Sequence, residues 1–191
     1  MITPLSLFID SITFHYNKIK VFDKFSKFIS FNNLLLIKGD IGSGKTTLLK
    51  LIYGYLKPKS GNIRLVLNDK EIGFDEKFFI HSNAVFNFVT GVIEDDLKLL
   101  GIDCSLFSPD IRKKYVYELS GGELKKLIIE ISLSLNVKII LMDEPFDMLD
   151  DYEVNNLKKL IISSMSNRNK YFIIATHEDI LDDISDQIIY L

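Results

Sequence analysis

The chain has 191 residues, of which 47% are hydrophobic, 26% charged and 12% aromatic, with 10 glycines and 4 prolines. That much apolar side chain offsets chain entropy, which excludes a disordered, collagenous or low-complexity protein and predicts one ordinary folded domain over residues 1–191. A formal charge of −3 and an isoelectric point near 5.6 speak against nucleic acid as a partner, because a phosphate-binding surface needs a basic excess.

Lys18, Lys20, Lys24 and Lys27 read as a solvated face. The single cysteine, Cys104, forms no intrachain disulfide and supplies no zinc site alone, so the reducing cytoplasm is the default compartment. Leu127 to Leu135 and Ile139 to Met142 are the longest apolar stretches. Glu130 and Lys138 interrupt them well short of the roughly 20 residues of a bilayer-spanning helix. The opening MITPLSLFID has no basic start and does not read as a signal peptide.

In chain order, Leu5 to Tyr16 and Val21 to Phe31 favour strands, and Asn32-Asn33 marks a turn. Leu34 to Ile37 is a short, continuously apolar run, as expected of a strand buried on both faces. A glycine-rich loop follows, then a helix over Lys45 to Tyr55 with Leu48, Leu49, Leu51 and Ile52 on its apolar face. After the turn at Lys57 to Gly61, strands are predicted over Asn62 to Leu67 and Ile72 to Ile80. Ala84 to Tyr117 is irregular and helical, broken at Pro109. Glu123 to Leu135 is an amphipathic helix, Ile139 to Met142 a second fully apolar strand, and Glu153 to Ser164 another helix. Strands at Tyr171 to Ala175 and Gln187 to Leu191 close the chain. Such alternation predicts an α/β fold with a mainly parallel core sheet and an antiparallel β region at the N-terminus.

Gly39-Asp40-Ile41-Gly42-Ser43-Gly44-Lys45-Thr46 fits G-x-x-x-x-G-K-[ST] in full. The glycines let successive amides curl around phosphate oxygens. Lys45 adds a point charge at the β and γ phosphates, and the Thr46 hydroxyl suits Mg²⁺. The helix that begins here offers its positive end to the same anion, and Thr47 completes the nucleotide-binding set. Asp143 and Glu144, directly after the second apolar strand, suit a water-mediated Mg²⁺ contact and the polarisation of an attacking water. Leu119-Ser120-Gly121-Gly122-Glu123 has two compatible readings: a capping box between Ser120 and Glu123, and an exposed anion receptor at a helix start.

Phosphate loop, LSGGE, and IILMDEP about twenty residues later together resemble the ATP-binding subunit of ABC transporters over nearly the whole chain. The resemblance implies a P-loop NTPase core of the RecA type with a short helical subdomain inserted at about residues 84–135. It implies ATP and Mg²⁺ as ligands, and Ser120 to Glu123 contacting nucleotide on a second subunit in a head-to-tail dimer, expected to be a homodimer. Phe146 to Asp150 resembles the family's D-loop, matching best at Leu149 and Asp150. Ile173 to His177 resembles its switch-histidine segment, which makes His177 a γ-phosphate contact, and Tyr16 stands where an adenine-stacking aromatic is expected. Phe14, two residues earlier, leaves open which ring is core.

The match departs from the family at its usual glutamine after the sheet. The only glutamine is Gln187, and the aligned segment is His81-Ser82-Asn83. Asn83 or Ser82 is the shorter replacement near the metal. The helix after LSGGE starts Leu124-Lys125-Lys126, without the arginine frequent there. Implied partners are transmembrane transporter subunits docking at a groove where Phe86 and Phe88 are candidate contacts. The implied location is cytoplasmic, at the inner membrane face and held there only through that partner. The alternatives are a soluble ATPase of the same class and a non-hydrolysing nucleotide switch.

Overall fold

A computed structural model describes residues 3–167 and 170–191. Two sheets form. The first is antiparallel and built from β1 (Leu5–Tyr16), β2 (Ile19–Phe31), β4 (Ser60–Leu67) and the two-residue β5 (Lys70–Glu71), in the order β2-β1-β4-β5. The second contains β3 (Leu34–Lys38), β6 (Lys77–Ile80), β7 (Ile139–Asp143), β8 (Tyr171–Ala175) and β9 (Gln187–Tyr190), in the order β6-β7-β8-β3-β9. Every neighbouring pair in that second sheet is parallel.

The apolar runs in β3, β7 and β8 follow from burial on both faces, since all fifteen of their positions are buried. Alternate side chains point to opposite sides. Leu35, Ile37, Leu141 and Ile173 join a core shared with the antiparallel sheet and α1 (Lys45–Tyr53). Leu34, Leu36, Met142 and Phe172 join a second core under α4 (Gly121–Ser134) and α5 (Asp151–Asn167). Between β6 and α4 lie only short helical pieces, α2 (Ile93–Leu99), α3 (Pro109–Arg112) and three 3₁₀ turns, with Pro109 opening α3 rather than merely breaking a helix. Among the described residues no helix is long and apolar enough to cross a membrane.

One predicted element divides. The apolar pattern over Ile72 to Ile80 suggests a single strand, but only Lys77–Ile80 pairs into the parallel sheet. The Glu76 carboxylate accepts from the Gly73 amide at 2.9 Å, and Lys77 N–H donates to Phe74 O at 3.2 Å, which closes a turn where the strand would have continued. Ile72 is nonetheless buried, so its apolar character serves the antiparallel side of the core.

The two cores set an energetic contrast. Phe172→Ala, at a fully buried position, is expected to lower unfolding free energy by about 3–5 kcal/mol in a denaturant titration. Ile19→Thr, at a position 72% exposed, is expected to stay within about 0.5 kcal/mol.

Candidate functional site

β3, β8 and β7 run parallel with Ile37, Ala175 and Asp143 at the same level of the sheet. Whatever follows each strand therefore emerges at one edge. After β3 comes the loop Gly39–Gly44, after β7 comes Glu144, and after β8 come Thr176 and His177.

The loop is built for close approach. A Cβ on Gly39 would lie 2.7 Å from both Leu191 O and Ser43 Oγ, and one on Gly44, where φ is +104°, would lie 2.9 Å from Val21 Cγ1. Only glycine tolerates either site without displacement. Ser43 N–H donates to Asp40 O at 3.1 Å, while Ile41 and Gly42 face solvent. Lys45 is 6% exposed and folds back over the loop, donating to Gly39 O at 2.8 Å and Asp40 O at 3.1 Å. Its Nζ stands 3.3 Å from Glu144 Oε1.

Two features of the loop suit an anion. Gly44 provides no side-chain cap to α1, so the first amides of that helix are free of one. Ser43 Oγ is buried without a hydrogen-bond partner, a state that is unfavourable by about 1–3 kcal/mol and that an acceptor oxygen in the loop would relieve. Thr47, behind the loop, is buried.

The Thr46 hydroxyl donates to Asp143 Oδ1 at 2.8 Å. Asp143 is 5% exposed. Burial pushes its carboxyl above the ordinary carboxylate range, with the Thr46 hydrogen bond opposing the shift. This pair supplies oxygen donors of the hard type that Mg²⁺ takes. Glu144 has φ +44°, an uncommon conformation for a residue with a side chain. Its N–H donates to Ala175 O at 2.8 Å, and its Oε2 receives the His177 N–H at 3.2 Å and lies 3.1 Å from His177 Nδ1. Ligand atoms of Glu144, Asp147 and His177 lie within 4.8 Å of one another, a second grouping able to hold a cation, although Lys45 already partners Glu144.

The other predicted residues fall in different places. Tyr16 ends β1, is 44% exposed and meets Phe14 edge-on at 4.9 Å, whereas Phe14 is buried; Phe14 is the core ring. Ser120 and Glu123 form the full capping box of α4: Glu123 N–H donates to Ser120 Oγ at 3.1 Å and Ser120 N–H to Glu123 Oε2 at 2.8 Å. Ser120 and Gly121 are exposed and Gly122 is partly so. Among the described residues no hydrogen bond or ion pair joins Ser120–Glu123 to Gly39–Thr47. Asn83 does not join the Thr46–Asp143 pair through any hydrogen bond among the described residues. Its Oδ1 instead caps the 3₁₀ turn Ala84–Asn87 by accepting from Val85 N–H at 3.1 Å.

Two buried lysines escape a sequence reading. Lys38, at the end of β3, is 5% exposed and binds Asp179 and, at 2.6 Å, Asp182, so it ties the strand before the phosphate loop to the segment after His177. Burial alone would lower its pKa, but the two carboxylates outweigh burial and hold it above the ordinary lysine value. Lys125, on α4, donates to backbone carbonyls of Glu144 and Asp147. The signal for Lys38 is a charge closing the run Leu34-Leu35-Leu36-Ile37.

A family model described as ABC transporter matches residues 23–147. The chain is 31% identical to an ergothioneine transport ATP-binding protein of Helicobacter pylori, over 90% of this chain and 89% of that protein. It is also 31% identical to an energy-coupling factor transporter ATP-binding protein of Ureaplasma parvum, over 88% of this chain and 65% of that protein. The solved structure of a putative ABC transporter ATP-binding protein of Pyrococcus furiosus superposes with a TM-score of 0.72 at 26% identity, covering 97% of each chain.

Because the folded-state pKa of Asp143 is raised, the folded protein binds protons more readily than the unfolded chain. Its contribution to stability therefore falls as pH rises from the ordinary carboxylate value through the raised one, and the cost is complete at neutral pH. Asp143→Asn keeps an acceptor for Thr46 and removes the charge. A differential scanning measurement at pH 7 without ligand is expected to show its midpoint rise by about 2–4 °C, the change that ~1 kcal/mol produces at this chain length.

Proposed function

The chain belongs to the ABC transporter family of ATP-binding proteins, and on that premise we propose that it binds Mg²⁺ and ATP as one of two head-to-tail subunits on a transporter whose pore is a separate polypeptide. It is an ATPase of that family. The observation that carries the finer reading is the convergence of Lys45, Thr46, Asp143, Glu144 and His177 at one sheet edge.

In this reading the amides of Gly39 to Thr46, with the Ser43 hydroxyl, hold the phosphates, and Lys45 turns from the Gly39 and Asp40 carbonyls toward the γ-phosphate. Thr46 and Asp143 hold Mg²⁺, which neutralises charge on the β and γ oxygens when bound. Glu144 orients the attacking water, and His177 fixes the Glu144 carboxylate through the 3.1 Å contact. Tyr16 offers its exposed face to the base. The reaction depends mainly on positioning and charge stabilisation, so groups a few ångströms out of place cost rate rather than binding. Ser120 to Glu123 act on the partner subunit's nucleotide, and the second subunit is a copy of this chain. Their exposure and their lack of any bond to their own phosphate loop support this. Asn83 or Ser82 reaches the metal only after a change in the turn that Asn83 caps.

A run of aromatic rings supports the membrane partner. Tyr53, Phe79, His81 and Phe86 follow one another with centroids 5.4, 4.9 and 6.1 Å apart, and Phe74, Tyr55 and Phe86 are more than half exposed. Burial, then nearby Lys50, holds His81 below the ordinary histidine pKa, which keeps this surface apolar at neutral pH. Phe88 is not part of it, because its ring packs against the core under α4.

Extraction in mild detergent is expected to recover a membrane protein with several spans together with this chain, and Phe86→Asp is expected to reduce that recovery by on the order of tenfold. Recovery with ribosomes or DNA alone would sink the transporter reading.

A further inference from the structure

Lys125 occupies an unfavourable position for a charge. It lies on the buried side of α4 between Leu124, Leu127 and Ile128, and the residue is only 7% exposed. Burial pulls its ammonium below the ordinary lysine pKa. Taking an ammonium out of water costs several kcal/mol unless partners replace the lost hydration. Among the described residues no carboxylate lies within ion-pair distance of it. Its partners are two backbone carbonyls, Asp147 O at 2.5 Å and Glu144 O at 3.3 Å.

Those carbonyls belong to the turn that aims the catalytic carboxylate. Glu144 has φ +44° and Met148 φ +62°, so both ends of the turn sit in the left-handed region with side chains present. Each such residue is unfavourable by about 1–3 kcal/mol and persists only where its surroundings hold it. Lys125 grips the carbonyl of the first of these residues and the carbonyl immediately before the second. Within the turn, Asp147 N–H also donates to Glu144 O at 3.3 Å, a long bond that would not hold the conformation alone. At the outer end of this arrangement the Glu144 carboxylate meets Lys45 at 3.3 Å and His177 at 3.1 Å.

We propose that Lys125 is a positioning residue for ATP hydrolysis: its ammonium clamps the 144–148 turn and so keeps the Glu144 carboxylate directed at the phosphate loop. Because Lys125 stands one turn into α4, the helix that begins with Gly121-Gly122-Glu123 and the aim of Glu144 are joined by a single side chain. Ser120 caps that helix, so a displacement of this end by a nucleotide on a partner subunit is passed to the turn holding Glu144. The proposal rests on Glu144 as the group that aligns water.

The test compares Lys125→Met, Lys125→Arg and Glu144→Gln in the full chain, isolated with the partner it copurifies with. Thermal midpoints and affinity for a fluorescent ATP analogue are measured beside steady-state hydrolysis. Lys125→Met is expected to lower kcat by on the order of tenfold to a hundredfold, with KM for ATP, analogue affinity and midpoint retained. Lys125→Arg, still a donor to two carbonyls, is expected to recover most of that loss. Parental kcat in Lys125→Met overturns the proposal, and so does a loss in which kcat, affinity and midpoint fall together. An arginine variant that is stable and binds the analogue yet turns over no faster than the methionine variant also overturns it. If Lys125→Met is fully active while Glu144→Gln is inactive, only the clamp is wrong. If Glu144→Gln itself hydrolyses ATP at the parental rate, the assignment of Glu144 falls and the clamp falls with it.

Discussion

The hydrogen bond from the Thr46 hydroxyl to Asp143, 2.8 Å long, joins segments 97 residues apart in the chain. It exists because β3 and β7 both pair in parallel with β8 and end level with it, at Ile37, Asp143 and Ala175. A one-residue slip in any of these strands would exchange the side chains of the two cores and withdraw a functional group from the edge. Buried apolar area is thus what sets the catalytic spacing. Leu34, Leu36, Met142 and Phe172 on one face and Leu35, Ile37, Leu141 and Ile173 on the other lock the register that brings Thr46, Asp143, Glu144 and His177 together.

That edge concentrates charge at some cost to stability. Asp143 is buried with a raised pKa, Glu144 is held in a left-handed conformation, and Ser43 Oγ has no partner. Lys45 and Glu144 offset one another at 3.3 Å, which lets two nearly buried charges coexist without ligand. Such local unfavourable terms, gathered where the backbone is most tightly specified, are the expected signature of a functional site.

The parts legible in the sequence are those governed by local rules. Continuous apolar runs identify β3, β7 and β8 because burial on two faces leaves no polar positions. The spacing of Ser120 and Glu123 identifies the start of α4, where both capping bonds form. Tertiary choices are less legible. The pattern at Ile72 to Ile80 continues through a turn because Ile72 serves a different core from Lys77–Ile80, and a side-chain bond from Glu76 decides the break. Phe86 and Phe88 are alike in sequence, yet one is exposed and the other packs inward. Lys38 and Lys125 read as ordinary surface charges because nothing local announces that Asp179, Asp182 or a pair of carbonyls will receive them.

The phosphate loop, the metal pair and the aligned carboxylate lie on one surface, while Ser120 to Glu123 stand exposed and bonded only among themselves and their helix. A chain with every part of a hydrolytic site except contact between the two nucleotide-facing segments is half of a shared one. The most direct measurement mixes Lys45→Ala subunits, whose phosphate loop is disabled, with Ser120→Arg subunits, whose exposed helix start is disabled, and follows ATP hydrolysis. A shared site predicts that the mixture regains part of the parental rate, since one site per mixed pair then has an intact loop and an intact facing segment. A mixture no more active than either variant alone would contradict it.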